Sequence, residues 1–103
     1  MTKELQKSLE VLREQKPYLQ ETYHVKDIGI FGSFARGEQD QRRQRSDIDI
    51  LVDFHEDAKI GLIKFIGLEN YLSELLDRKV DLVTRDALKP LIKDNILRDT
   101  VYV

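Results

Sequence analysis

Hydrophobic residues in the first stretch of the chain recur at Leu5, Leu9 and Leu12, with charged and polar residues between them. The i, i+4, i+7 spacing puts the leucines on one side of a helix and predicts an amphipathic helix over residues 3–15. Pro17 cannot comfortably continue it, because proline lacks an N–H and its ring crowds the preceding turn, but it suits the first turn of a new helix. A short second helix over about 17–24 is therefore predicted. From Val25 to Phe31 the period changes to two, with Ile28 and Ile30 on one face, which predicts a strand. Gly32-Ser33 interrupts it, and Ser33-Phe34-Ala35-Arg36 can open a short helix that ends at Gly37.

Residues 38–46 contain no apolar member and predict a solvated loop. Asp47 to Phe54 alternates again, with Ile48, Ile50, Val52 and Phe54 on one face and Asp47, Asp49, Leu51 and Asp53 on the other. Leu62, Phe65, Leu68, Leu72 and Leu75 predict a helix over about 58–77. The first half of this segment, Ile60 to Leu68, is more apolar than one packed face requires, so it either surrounds itself with core or leaves an interface for a partner. Val80 to Val83 predicts a third strand and Pro90 a last helix over about 88–98, after which Val101-Tyr102-Val103 adds an edge strand or ends the chain. The order helix, strand, helix, strand, helix, strand, helix predicts a small mixed sheet covered by helices, in the α/β or α+β class. A chain of 103 residues is expected to be one domain, 1–103, with little left over for a separate substrate-binding lobe.

Composition narrows the possibilities by exclusion. The formal net charge of −2 gives no general attraction to nucleic acid or anionic lipid, so direct nucleic-acid binding is not expected. The absence of cysteine rules out disulfides, thiolate–zinc sites and thiol nucleophiles. Neither a signal-peptide pattern nor an apolar run long enough to span a bilayer is present, and a soluble cytoplasmic protein, with no membrane association, is expected.

The chemistry centres on acids. Asp47 and Asp49 are two residues apart on a predicted strand, so both carboxylates project from the same face. They either face water at a frayed strand start or bracket divalent cations, whose hard oxygen ligands can be shared with phosphate. Asp81 lies on another strand between Val80 and Leu82, pointing away from the core; if the two strands are neighbours, three carboxylates meet. Gly32-Ser33 stands where a strand gives way to a helix, a junction at which backbone N–H groups can approach phosphate and the hydroxyl can donate to it or cap the helix. Arg36, one turn on, can pair with phosphate or with a surface acid such as Glu38. His24 and His55 show no ligand spacing and read as surface residues, and Tyr18, Tyr23, Tyr71 and Tyr102 read as packing or interface residues. No P-loop sequence is present.

Taken together, Gly32-Ser33-Phe34-Ala35-Arg36-Gly37, Ser46-Asp47-Ile48-Asp49 and Val80-Asp81-Leu82-Val83 resemble the DNA polymerase β-like nucleotidyltransferase superfamily. Within it the chain most resembles the minimal nucleotidyltransferases, the MntA-like antitoxins of prokaryotic HEPN/MNT pairs. The resemblance implies the nucleotidyltransferase fold, with Asp47, Asp49 and Asp81 holding two Mg2+ ions and Gly32 and Ser33 holding the triphosphate of ATP, to which Arg36 is added as a candidate from its place one turn on. It further implies that Asp81 helps deprotonate the acceptor. The acceptor it implies is a hydroxyl, a tyrosine, on a HEPN-domain ribonuclease toxin encoded by a neighbouring gene, which receives AMP within a hetero-oligomer. One departure is the thirteen-residue spacing between Ser33 and Asp47, longer than is usual in that family, which includes the basic run Arg42-Arg43-Gln44-Arg45. Two rival expectations are an antitoxin that silences its partner by occlusion alone and a nucleotidyltransferase of small molecules such as aminoglycosides.

Overall fold

The structure, a computed structural model, describes residues 2–37 and 47–103. Its elements in chain order are α1 (Lys3–Tyr23), β1 (Val25–Phe31), α2 (Gly32–Arg36), β2 (Ile48–Phe54), α3 (Leu62–Leu76), β3 (Val80–Thr84), a 3-10 turn (Arg85–Ala87), α4 (Pro90–Asp99) and β4 (Val101–Tyr102). The expected order and the mixed α+β class both hold. The expected loop and its basic run, Arg42 to Arg45, fall outside the described residues. The strands form one sheet in the order β3-β2-β1-β4. Strands β2 and β3 run parallel, while β1 is antiparallel to both of its neighbours.

The two helices expected before β1 are a single one, with Pro17 inside it. An internal proline costs a helix about 3 kcal/mol. Continuing the helix keeps Leu19 in line with Leu5, Leu9 and Leu12, and all four are buried. Full burial of one such side chain is worth about 1.5–3 kcal/mol, so burial of Leu19, with Tyr23 packed partly against the core beyond it, offsets the break, and Pro17 itself faces solvent. Thr2 caps the start, its Oγ1 accepting from the Leu5 N–H at 3.1 Å. His24, with φ 59°, ends the helix in the left-handed conformation.

Behind the sheet lies a contiguous core. Ile28, Ile30, Ile48, Ile50, Val52, Val80 and Leu82 project from the strands against the α1 leucines, Leu68 and Leu72 of α3, and Phe34 of α2. The alternation expected for β2 is realised, with the opposite face left to Asp49, Leu51 and Asp53. α3 begins at Leu62 rather than near 58, and Gly61 precedes it. The surplus apolar residues of its first turns are not core: Leu62 and Ile63 are 73% and 89% exposed. α4 starts at Pro90, two residues later than expected, because the 3-10 turn occupies the approach. Val101–Tyr102 is an edge strand beside β1. Among the described residues no helix is long and apolar enough to cross a membrane.

Strand β4 depends on Gly29. A Cβ there would stand 2.6 Å from Thr100 Cγ2 and 2.7 Å from the Val101 carbonyl oxygen, whereas one at Gly67 in α3 would meet nothing within 4 Å. Gly29→Ala should therefore destabilise the protein by about 1–3 kcal/mol through overpacking. Gly67→Ala should stabilise it by about 0.5–1 kcal/mol, the usual gain in a helix interior. Urea unfolding of both variants checks the pair, and equal effects of the same sign would contradict the reading.

Candidate active site

Each acid is positioned by a different piece of local structure. The parallel register between β2 and β3 sets Asp49 opposite Asp81. The antiparallel register on the other side sets Phe31, the last residue of β1, opposite Asp49. Gly32 therefore emerges directly beside the Asp49 carboxylate. It adopts φ +77°, and a Cβ on it would overlap Asp49 Oδ2. Both the left-handed backbone and the space demand glycine here.

Ser33 lies inside the first turn of α2, not at its N-cap, which is Phe31 and supplies no side-chain hydrogen bond. The helix thus starts one residue earlier than expected, and Ser33 is not its cap. With five residues α2 has little macrodipole, so any attraction for an anion must come from local N–H groups. Phe34 pins this turn in place: it is buried, and the Arg78 guanidinium lies 5.0 Å from its ring centroid.

Asp47, expected within the strand, precedes it, since β2 begins at Ile48. The Ile48 N–H bonds to the Lys79 carbonyl at 3.0 Å, and Lys79 Nζ stands 3.9 Å from Asp47 Oδ2 with both side chains largely exposed. Arg36 Nη1 lies 3.9 Å from Asp99 Oδ2 of α4, so the acid beside it comes from the far end of the chain; Glu38, the acid anticipated for it, lies outside the described residues.

Electrostatics tie these groups together. Burial raises the pKa of Asp49 above the usual carboxylate range, and the charges of Asp81 and Asp47 raise it further, while Arg36 opposes the rise. All four residues thus act on one point. Among the described residues no group of three ligand-type side chains forms a ready-made metal cage. The donor set nevertheless suits a hard divalent cation: its oxygens are all carboxylate, and their mutual repulsion is only partly offset.

Two hollows lie beyond the acids. A cleft of about 840 Å3 sits where β2 and β3 end, lined by residues including Lys26, Phe54, His55, Phe65 and Arg85. A smaller one of about 280 Å3 is lined by Asp27, Leu51, Asp53, Arg85 and Tyr102. Alternation along β1 and β2 places Asp27 and Asp53 on the face of Asp49, but only the register reveals that they are paired with each other. His24 and His55, distant in sequence, meet through their backbones, the His55 N–H bonding to the His24 carbonyl at 3.1 Å. Tyr18, Tyr23 and Tyr71 pack together with ring centroids 5.2 to 6.3 Å apart, and the Tyr71 hydroxyl donates to Gln15 Oε1 at 3.0 Å.

Because the folded-state pKa of Asp49 is raised, its contribution to stability is complete at low pH and is lost as pH rises through that pKa. Asp49→Asn removes the ionisation. In metal-free buffer the variant should be at least as stable as the parent at pH 7, and its advantage should vanish as pH falls to the ordinary carboxylate range. Urea unfolding across this pH range measures it; a variant markedly less stable at neutral pH would contradict the crowding of charge.

Comparison with known proteins accords with this geometry. The nucleotidyltransferase domain family profile matches residues 12–103. The protein adenylyltransferase MntA of Thermococcus cleftensis is 47% identical over 93 residues, covering 90% of this chain and 89% of the relative. A solved structure provisionally described as a minimal nucleotidyltransferase superposes with a TM-score of 0.69 at 33% identity, covering 90% of this chain and 93% of that one. A chain from a crystal structure of a toxin–antitoxin with AMP-PNP superposes with a TM-score of 0.64 at 26% identity, covering 98% of this chain and 72% of that one. A Gly-Ser turn set against one acid, an acid facing it across a parallel strand pair, and relatives matched along nearly their whole length lead to one assignment: the chain belongs to the nucleotidyltransferase domain family, among its minimal, MntA-like members.

Proposed function

We propose that the protein is a cytoplasmic protein adenylyltransferase that moves AMP from ATP to a tyrosine hydroxyl of a HEPN-domain ribonuclease toxin, serving as the antitoxin of the pair. The observation that carries the reading is the register of Asp49 against Asp81 with Gly32 packed on the Asp49 carboxylate. It brings a backbone turn against an excess of negative charge, an arrangement useful to a metal-bound triphosphate and costly otherwise. The names of similar proteins support the choice of a protein acceptor over a small molecule, and the toxin–antitoxin neighbour supports a hetero-oligomer.

Asp47, Asp49 and Asp81 would hold two Mg2+ ions, which supply charge neutralisation for the α-phosphate and for the attacking and leaving oxygens. Gly32 lets the backbone approach the β- and γ-phosphates, and the Ser33 hydroxyl donates to one of their oxygens. Arg36, whose charge already acts on Asp49, offsets the remaining negative charge. Asp81 lies on β3, an edge strand of the sheet, and is exposed. There it can receive the proton of an incoming hydroxyl as its oxygen bonds to the α-phosphorus and pyrophosphate departs. The exposed apolar residues Leu62, Ile63 and Ile66 of α3 offer a surface against which a protein partner can settle.

The decisive experiment incubates the chain with labelled ATP, Mg2+ and the co-expressed HEPN protein, and reads the partner's intact mass. A mass increase of AMP supports the proposal; a stable complex with no added mass would establish occlusion instead. Asp47→Asn and Asp49→Asn should each abolish transfer while the fold persists by circular dichroism. Asp81→Asn should lower turnover by about 10²–10⁴, the usual value of a general base, with a much smaller change in ATP affinity. Ser33→Ala should weaken ATP binding by about 0.5–1.5 kcal/mol, one hydrogen bond.

A further inference from the structure

The 280 Å3 hollow lies on the face of the sheet that carries Asp49 and Asp81. Leu51 lines it and is only 2% exposed, yet it stands outside the contiguous core cluster behind the sheet. Tyr102, opposite Gly29 in the register and 44% exposed, presents an aromatic ring to the same space. Asp27 and Asp53 are direct cross-strand partners, and Arg85 Nη1 lies 3.9 Å from Asp53 Oδ2. A like-charged pair directly opposite in an antiparallel ladder destabilises the sheet. One arginine offsets only part of that charge.

We infer that this hollow is the nucleobase subsite of the donor nucleotide, holding an amino-bearing base against Tyr102 with its exocyclic amino group on the carboxylates of Asp27 and Asp53. The inference rests on the transferase reading and adds where, and by which groups, the base is held. The direction is compatible with the geometry of phosphoryl transfer, in which attacking and leaving oxygens lie roughly in line through the phosphorus. The leaving pyrophosphate belongs to Gly32 and Ser33 at the end of β1, and the acceptor belongs to Asp81 on β3, so the line runs across the strands in the order β1, β2, β3. The nucleoside is attached through an equatorial oxygen and must leave at a steep angle to that line. Along β2, residues 51 and 53 lie about 7 and 13 Å beyond Asp49 at roughly 3.3 Å per residue. That interval suits the reach of a ribosyl base from its α-phosphate.

The chemistry of the walls agrees. A base needs a flat aromatic face, and Tyr102 supplies it, while the nearly buried Leu51 closes the bottom of the hollow. Ionised carboxylates only accept hydrogen bonds, so they match an exocyclic amine and disfavour the carbonyl oxygen that inosine carries in its place.

The test compares ATP, ITP and inorganic tripolyphosphate, each with Mg2+, by calorimetric titration of the intact chain. Tripolyphosphate reports the phosphate and metal groups alone. Tyr102→Ala should weaken ATP binding by about tenfold through lost stacking and leave tripolyphosphate binding unchanged, while Tyr102→Phe should bind ATP like the parent. The double variant Asp27→Asn, Asp53→Asn should bring the ATP-to-ITP affinity ratio close to one. Parental ATP affinity in Tyr102→Ala, or an equal loss for ATP and tripolyphosphate, overturns the subsite, as does an unchanged ratio in the double variant. A parent chain that binds ATP through this hollow yet adds no AMP to any partner would remove the transferase reading while leaving the subsite established.

Discussion

Asp49 and Asp81 face each other across a parallel strand pair, and the free energy of that encounter constrains much of what surrounds it. Parallel strands need a long crossover, and here α3 provides it between β2 and β3. The crossover also fixes the register through side chains. Ser73 Oγ accepts from the Val80 N–H at 3.1 Å, and Glu69 Oε2 accepts from the Leu82 N–H at 3.0 Å. Two N–H groups of an edge strand are thereby satisfied, and Asp81 between them is held at the height of Asp49. A slip of one residue would turn Asp81 to the core and Leu82 to the open face.

The sheet divides its two faces accordingly. Isoleucine, valine and leucine on the face toward α1 and α3 supply most of the burial, so the other face can carry charge whose repulsion lowers stability. Gly32 is the point at which the two requirements meet. Phe34 anchors α2 in the core two residues later, which forces the backbone at Gly32 against the Asp49 carboxylate. The left-handed turn at Gly32 is thus a consequence of seating α2 on the same core that supports the acids.

How much of this was legible in the chain depends on range. Period-two alternation identified the faces of β1, β2 and β3, and with them the side on which Asp49 and Asp81 stand, because the pattern is local. Helix continuity through Pro17 was not legible, since the decisive contribution is burial of Leu19 seven residues beyond Leu12 against a sheet formed later in the chain. Nor was the Arg36–Asp99 approach, which links α2 to the end of α4. The partnership of Asp27 with Asp53 and the placing of Tyr102 beside them depend on strand order, which no spacing along the chain encodes. Identity of the chemical groups was readable; their pairwise distances required the fold.

Strand order also distributes the proposed reaction. With β3 at one edge and β4 at the other, the acids occupy one side of the open face and the hollow with Tyr102 the opposite side and lower end. The acceptor of the proposed reaction would approach along β3, where Asp81 is exposed. The first turns of α3, which carry Leu62 and Ile63, follow the far end of β2, the neighbour of that strand. An acceptor protein seated on those turns would lie next to Asp53 and Arg85, which line the same cleft as Leu62. On this arrangement donor and acceptor would use neighbouring parts of one small surface.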